Sequence, residues 1–239
     1  MIALRSALFN ALFLFSMAVF PWIGLMLPRR MTRPFVRGWT RWVLRWMELI
    51  CGMRVRVTGL ENIPAGPCIV ASKHQSAFDT FVWLTLLPHP VYVMKQELLR
   101  LPGWGALARR FGSVGVDRAG GAAALKSMVR QSREFAERDG AQLVIFPEGT
   151  RTAPGERVPW QPGVAALASA TGLPVVPAAT DSGRFWGRRS FAKRPGTITL
   201  AILPALPPGL PRAELMRRLE DEVETASAAL PGGHPPPGP

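Results

Sequence analysis

His74 and Asp79 have the residue types and the spacing that acid–base chemistry requires. They bound the run His74-Gln75-Ser76-Ala77-Phe78-Asp79, and of the three histidines His74 alone has a carboxylate shortly after it. On one continuous helix the two side chains would point about 140° apart. We therefore predict that His74 lies in a loop and Asp79 in the first turn of the next helix, where the carboxylate orients the imidazole as a base. A histidine satisfied within its loop is the structural alternative.

The sequence narrows what such a base could activate. No GxSxG elbow, P-loop or GxGxxG motif occurs, so a serine triad and nucleotide chemistry lack support. The two cysteines, Cys51 and Cys68, form no CxxC pair, which argues against a zinc site or a disulfide framework and fits a reducing compartment. A substrate hydroxyl remains as the group that His74 would deprotonate.

Strand-like and helix-like segments alternate after residue 52 and predict an α/β domain with a mixed, largely parallel sheet flanked by helices. The strand candidates are residues 54–58, 68–71, 91–94, 113–116, 143–146, 175–178 and 197–203. The helix candidates are residues 120–138, 163–170 and 212–228.

Polar groups follow four of these strand candidates, at the positions where loops leave such a sheet. They are His74, Lys95, Arg118 and the run Pro147-Glu148-Gly149-Thr150-Arg151. Arg118, Arg151 and Lys95 could hold an anionic substrate, because guanidinium and ammonium groups bind phosphate. Surface salt bridges are the alternative for each of them.

The N-terminal segment predicts a membrane anchor. Residues 8–27 carry no charge and are long enough to span a bilayer, although Pro21 should kink or end the helix. A shallow helix, a signal peptide and a buried core helix are the alternatives. Arg33, Arg37, Arg41 and Arg45 then recur every fourth residue opposite a Trp-rich face, which predicts an interfacial helix or, alternatively, an amphipathic helix packed on the domain.

Charge and composition divide the chain into three parts. Residues 1–52 would form the anchor and the interfacial helix, 53–230 the catalytic domain, and 231–239 a disordered Pro/Gly tail. The net charge is +13, which favours an anionic partner. Nucleic acid is not expected to be that partner, since no recognition motif is evident.

Four motifs in order make residues 55–205 resemble the glycerolipid acyltransferase family, and within it the bacterial 1-acylglycerol-3-phosphate acyltransferases. The motifs are His74 to Asp79, Gly112-Ser113-Val114-Gly115-Val116-Asp117-Arg118, Phe146-Pro147-Glu148-Gly149-Thr150-Arg151, and Leu173-Pro174-Val175-Val176-Pro177. Lys95-Gln96-Glu97-Leu98 also fits the family's pattern. Gly115 departs from it, because relatives often carry a bulky apolar residue at this position.

The resemblance implies that His74 is the catalytic base, that Asp79 orients it, and that Arg118 and the loop of Glu148, Gly149, Thr150 and Arg151 bind the acceptor. It implies acyl transfer from acyl-CoA or acyl carrier protein to the sn-2 hydroxyl of lysophosphatidic acid, with no metal and no organic cofactor. The expected location is the cytoplasmic face of a bacterial inner membrane.

Two other functions stay open at this point. The acceptor could be another lysolipid, such as a lyso-ornithine lipid, because the motifs would look nearly the same. The chain could also be a membrane-tethered lipid-binding protein without catalytic activity.

Overall fold

The seven strands of the computed structural model form one sheet in the order β1-β7-β6-β2-β5-β3-β4. The structure describes residues 1–231, except for the side chain of Arg118. The strands are β1 (Met53–Thr58), β2 (Cys68–Ser72), β3 (Pro90–Lys95), β4 (Val114–Val116), β5 (Gln142–Ile145), β6 (Val175–Thr180) and β7 (Gly196–Ile202). All strand pairs are parallel except β6 with β7, which confirms the predicted fold class.

Eight α-helices lie in the described part of the chain. They are α1 (Ile2–Met26), α2 (Thr32–Cys51), α3 (Phe78–Leu86), α4 (Gln96–Leu99), α5 (Trp104–Phe111), α6 (Gly121–Asp139), α7 (Gly163–Thr171) and α8 (Arg212–Ala229). Every predicted strand and helix is present, with ends that differ by a few residues.

Helices cover both faces of the sheet. Cys68 and Val70 point to the layer of α1, α2, α3 and α5, whereas Ile69 and Ala71 point to the layer of α6, α7 and α8. All five residues of β2 are buried, as expected for a central strand of a parallel sheet that is covered on both sides.

The first helix continues through Pro21 to Met26, so of the two predicted effects of Pro21, a kink or an end, the helix end does not occur. A proline inside a helix has no N–H for the carbonyl four residues earlier. Here that carbonyl belongs to Met17, and it accepts a hydrogen bond from the indole N–H of Trp104 instead. A partner from α5 thus satisfies the group that Pro21 leaves free.

The second helix packs its tryptophan face mainly into the protein. Trp39 is 3% exposed and belongs to the core, whereas Trp42 is 47% exposed. Arg33 contacts Nδ1 of His89 over 2.7 Å, and Arg37 donates to the carbonyl of Leu87. These two arginines bind the loop after α3, so the predicted lipid-facing stripe is reduced to its exposed members, Arg41 and Arg45.

The predicted division at residue 52 does not separate two bodies. Both N-terminal helices contribute to the core on one face of the sheet, with Phe9 of α1 and Val43 of α2 fully buried there. The predicted tail at 231–239 lies outside the described residues, apart from Pro231.

Candidate active site

The predicted polar residues gather at the carboxyl edge of the sheet. Neighbouring parallel strands end on the same side, and β2 is paired with β5, which is paired with β3, which is paired with β4. His74 follows β2, Glu148 follows β5, Lys95 ends β3, and Arg118 follows β4. The sheet order therefore brings the first three motifs to one edge.

His74 and Asp79 form a hydrogen-bonded pair. Nδ1 of His74 lies 3.2 Å from Oδ2 of Asp79. His74 is in the loop after β2 and Asp79 in the first turn of α3, which confirms the predicted placement. A carboxylate only accepts hydrogen bonds, so this contact assigns the proton to Nδ1 and leaves the lone pair of Nε2 available.

The imidazole of His74 is fixed in orientation and yet accessible. Its ring stacks on that of Phe146, with the ring centroids 4.1 Å apart and the planes 22° apart. The side chain of His74 is 13% exposed. A substrate hydroxyl can therefore reach the ring while packing and the Asp79 contact hold it in place.

Three further donors hold the carboxylate of Asp79. The backbone N–H groups of Gln75 and Ser76 both donate to Oδ2 over 2.7 Å. The hydroxyl of Ser182 donates to Oδ1 over 2.6 Å. Asp79 is 1% exposed, so these bonds replace the water that a buried carboxylate has lost.

Glu148 lies beneath the catalytic loop, away from the surface that a substrate would contact. Its Oε2 accepts from the backbone N–H of His74 over 2.6 Å, and its Oε1 accepts from the hydroxyl of Thr152 over 2.8 Å. The Thr152 N–H in turn donates to the His74 carbonyl over 2.9 Å. Because the Glu148 side chain is 0% exposed, the structure corrects the expected direct contact with substrate to a role in positioning His74.

Lys73 supplies the counter-charge for this buried carboxylate. Its Nζ lies 3.0 Å from Oε1 of Glu148 and 2.5 Å from Oε1 of Glu224 on α8. Burial raises the pKa of Glu148, and the ammonium of Lys73, the Thr152 hydroxyl and the His74 N–H oppose that rise. The ion pairs tie the residue before His74 to the last helix.

The rest of the third motif forms a half-buried turn. Gly149 has a φ of 65°, a left-handed conformation that glycine adopts without strain. Thr150 and Arg151 are partly exposed beside it. Burial and the charges of Arg188 and Arg189 lower the pKa of Arg151, while Asp79 raises it. The charge of Arg151 is therefore within electrostatic range of Asp79.

The predicted roles of Lys95 and Arg118 in substrate binding are not tested by any contact in the described part of the structure. Lys95 is exposed at the end of β3, on the same edge as His74. The side chain of Arg118 lies outside the described part of the structure, so its contact with an acceptor phosphate stays a prediction.

Gly115 leaves room for α4. A Cβ at this position would lie 2.0 Å from Oε1 of Gln96 and 2.7 Å from Cδ1 of Leu99. The glycine therefore lets these two side chains approach β4, which explains the departure from the family pattern.

Ser182, Lys73 and Glu224 also belong to the site, although they were not among the predicted residues. Ser182 follows β6, the neighbour of β2 on the side opposite β5, so its position beyond a strand candidate was the available signal. The sequence contains no such signal for Lys73 and Glu224, because a lysine and a glutamate are expected on the surface unless their partners are known.

Comparison with known proteins agrees with this geometry. Residues 54–181 match the family model described as Acyltransferase. The chain therefore belongs to the acyltransferase family and is an enzyme of that class.

The similar proteins are named for one reaction. The chain is 37% identical over 211 residues to the 1-acyl-sn-glycerol-3-phosphate acyltransferase of Pseudomonas aeruginosa, a match that covers 85% of this chain and 81% of that protein. It is 29% identical over 169 residues to the human 1-acyl-sn-glycerol-3-phosphate acyltransferase beta, covering 70% of this chain but only 60% of that one. The crystal structure of the 1-acyl-sn-glycerophosphate acyltransferase PlsC of Thermotoga maritima shares the fold, with a TM-score of 0.76, 22% identity, and coverage of 97% of this chain and 99% of that one.

Proposed function

We propose that this enzyme transfers a fatty acyl group to the sn-2 hydroxyl of 1-acylglycerol-3-phosphate and so forms phosphatidic acid. Acyl-CoA or acyl carrier protein would be the donor. The observation that carries the proposal is the His74–Asp79 pair, whose imidazole is partly accessible at the sheet edge to which Arg151 also belongs. The names of the similar proteins supply the acceptor.

In the proposed reaction His74 handles the proton at both steps of the transfer. Nε2 of His74 takes the proton of the acceptor hydroxyl as that oxygen attacks the carbonyl carbon of the thioester. Asp79 stabilises the imidazolium that forms, because its Oδ2 already accepts from Nδ1. The tetrahedral intermediate then collapses, the carbon–sulfur bond breaks, and Nε2 returns the proton to the departing thiolate.

We also propose that the protein works at the surface of a membrane, on the cytoplasmic face of a bacterial inner membrane. Among the described residues one helix, Ile2–Met26, is long and apolar enough to cross a bilayer. Its exposed side carries large apolar residues, including Leu4, Leu14 and Phe15. These side chains are suited to contact the acyl chains of lipids.

Contacts along the whole of α1 favour a helix that dips into one leaflet. The N–H of Lys193 donates to Oγ of Ser6 over 2.8 Å near its start, and Arg110 donates to the carbonyl of Leu25 over 2.8 Å near its end. A helix bound along its length to the rest of the protein cannot cross the bilayer unless that part of the protein enters it too. Of the two ways in which the sequence allowed the segment to enter the membrane, spanning or shallow, the shallow one fits these contacts.

No metal and no organic cofactor is part of the proposed reaction. The chemistry above needs only a base, an orienting carboxylate and a cationic substrate site. Turnover that persists after treatment with a strong chelator would support this view, and loss that added metal restores would contradict it.

The test is acyl transfer by the purified protein in detergent. Labelled acyl-CoA would be offered with lysophosphatidic acid, with lyso-ornithine lipid and with other lysolipids, and the His74→Ala variant would serve as the blank. Transfer to lysophosphatidic acid that the variant lacks supports the proposal. Transfer to another lysolipid alone would reassign the acceptor.

Lipid binding without any transfer would support the non-catalytic alternative. In that case His74→Ala should bind lipid as well as the unchanged protein does.

A further inference from the structure

The segment between β6 and β7 forms a loop that connects the catalytic pair with α1. We define the basic loop as residues 185–194. At its root Ser182 donates to Asp79, and the N–H of Gly183 donates to Oε1 of Gln75 over 3.1 Å. No acidic residue occurs between Asp181 and Glu214, whereas the basic loop alone contains Arg188, Arg189, Lys193 and Arg194.

The basic loop is anchored firmly to the protein. Trp186 is buried in an aromatic cluster with Phe9 and Phe13 of α1, with ring centroids 5.2 and 5.3 Å apart. The ammonium of Lys193 donates to the carbonyls of Ser190 and Phe191 over 2.8 and 3.0 Å. Burial lowers the pKa of Lys193, and its neighbour Cys51 raises it. The loop therefore has a defined shape despite its surface position.

This rigid loop holds an apolar side chain in the solvent. Phe191 is 58% exposed, and its carbonyl accepts from the side-chain amide of Asn10 on α1 over 3.0 Å. Arg188 and Arg189 are exposed next to it, and Arg189 has a φ of 56°, the only positive value among the non-glycine residues of 1–231. Such a conformation in a non-glycine residue is uncommon and concentrates at functional sites.

We propose that the basic loop is a second membrane-contacting element beside the active site, which binds an anionic lipid surface through Arg188 and Arg189 and inserts Phe191. Two features of the loop identify an anionic lipid surface as its partner. Adjacent arginines without acidic neighbours match the phosphate groups of lipids, and an exposed phenylalanine matches the acyl region beneath them. The loop is also bound to α1, the helix with the exposed apolar side chains, through Asn10 and the buried Ser6.

The proposal rests on the membrane placement given above, and it has a consequence for the reaction. The lipid-binding tip and the Asp79 contact are only six residues apart, at Arg188 and Ser182. Arg188 also donates to the carbonyl of Arg151 over 3.1 Å. A lipid surface held at the tip would thus place the mouth of the site where a lysolipid leaves the membrane.

A fluorescent probe at the loop tip tests insertion without any need for turnover. Ser190→Cys and Ser169→Cys make the same change at two exposed serines, the second on α7 at the opposite face of the sheet. Each would carry an environment-sensitive dye and meet vesicles of phosphatidylglycerol with phosphatidylcholine. We expect a blue shift at residue 190 and none at 169. No shift at 190, or equal shifts at both positions, would overturn the proposal.

A second pair of variants tests how much the arginine charges contribute to membrane binding. Arg188→Gln/Arg189→Gln should weaken binding to these vesicles about ten- to thirtyfold, from about 1 kcal/mol for each arginine near an anionic surface. Arg130→Gln/Arg217→Gln removes the same charge from exposed positions on α6 and α8 and should change binding little. Equal losses in the two variants would contradict a specific loop contact.

Donor binding is the competing role for these arginines. Unchanged vesicle affinity with a raised KM for acyl-CoA would show that the loop binds the donor's phosphates, and the proposal would be wrong. The vesicle measurements do not depend on acyl transfer, so they stand even if the proposed acceptor fails.

Discussion

The hydroxyl of Ser182 donates to Oδ1 of Asp79 over 2.6 Å, across 103 residues of sequence. Both groups are buried, and Asp79 uses its other oxygen to hold His74. The fourth motif, which forms the start of β6, thus leads directly to a residue that fixes the orienting carboxylate of the first motif.

Removing this hydroxyl should reduce turnover without changing substrate affinity. In Ser182→Ala, Asp79 loses a donor, and a loss of about 1.4 kcal/mol in the transition state corresponds to about a tenfold lower kcat. Steady-state kinetics should show an unchanged KM. Ser132→Ala is the matched control, because the Ser132 hydroxyl is buried without a hydrogen-bond partner among the described residues. Similar losses in both variants would indicate a general packing effect.

The catalytic pair itself should be indispensable. His74→Ala should lower kcat about 10²–10⁴-fold, the usual contribution of a positioned base. Asp79→Asn should also reduce the rate strongly, since an amide cannot accept from all four groups that now donate to the carboxylate. Circular dichroism should show that His74→Ala keeps the fold. A near-normal rate in either variant would contradict the assignment.

Lys73 should contribute to stability in a way that depends on pH. Lys73→Met leaves Glu148 and Glu224 without their cation, and breaking a buried pair costs about 3–5 kcal/mol in the free energy of unfolding. Burial already raises the pKa of Glu148 in the folded protein, and loss of Lys73 raises it further. A raised pKa gives stability that is present below the ordinary value of 4.5 and is lost as pH rises.

The deficit of Lys73→Met should therefore be small in acid and grow towards neutral pH. Urea unfolding at several pH values measures it. Lys126→Met, at an exposed position on α6, is the matched control and should show no such trend. A deficit independent of pH would mean that the carboxylates do not depend on Lys73.

Arg151 should act on the acceptor. Because Arg151 is partly exposed and within electrostatic range of Asp79, Arg151→Ala should raise the KM of the lysolipid more than that of acyl-CoA. Arg118→Ala should behave in the same way if it binds the same phosphate. Arg130→Ala, an exposed change on α6, is the control for lost charge. Equal effects on both substrates would point to a structural role.

The cysteines should be unreactive while the protein is folded. Burial raises the pKa of the Cys68 thiol to about 12, and Cys51 is also buried. Since the thiolate is the reactive form, iodoacetamide at pH 8 should modify neither residue before denaturant is added. Mass spectrometry would detect modification, with Ser169→Cys as an exposed thiol that should react at once.

The sequence by itself determined the strands, the longer helices and the motif residues, but not the short helices α4 and α5. Alternating short apolar runs and helical stretches predicted all seven strands, because burial on a parallel sheet imposes local patterns that a single sequence shows. The spacing of His74 and Asp79 predicted a loop followed by a helix, since one continuous helix would separate them. These features depend on neighbours along the chain.

The tertiary structure decided what holds those residues in place. Ser182 reaches Asp79 because β6 lies beside β2, and Lys73 meets Glu224 because α8 packs behind the catalytic loop. Trp104 donates to the carbonyl that Pro21 leaves free, and the first helix does not end at Pro21, one of the two outcomes that local rules allowed. Each contact joins residues more than 80 positions apart. Only the order of the strands and the packing of the helices bring such partners together, and no local pattern in the sequence encodes them.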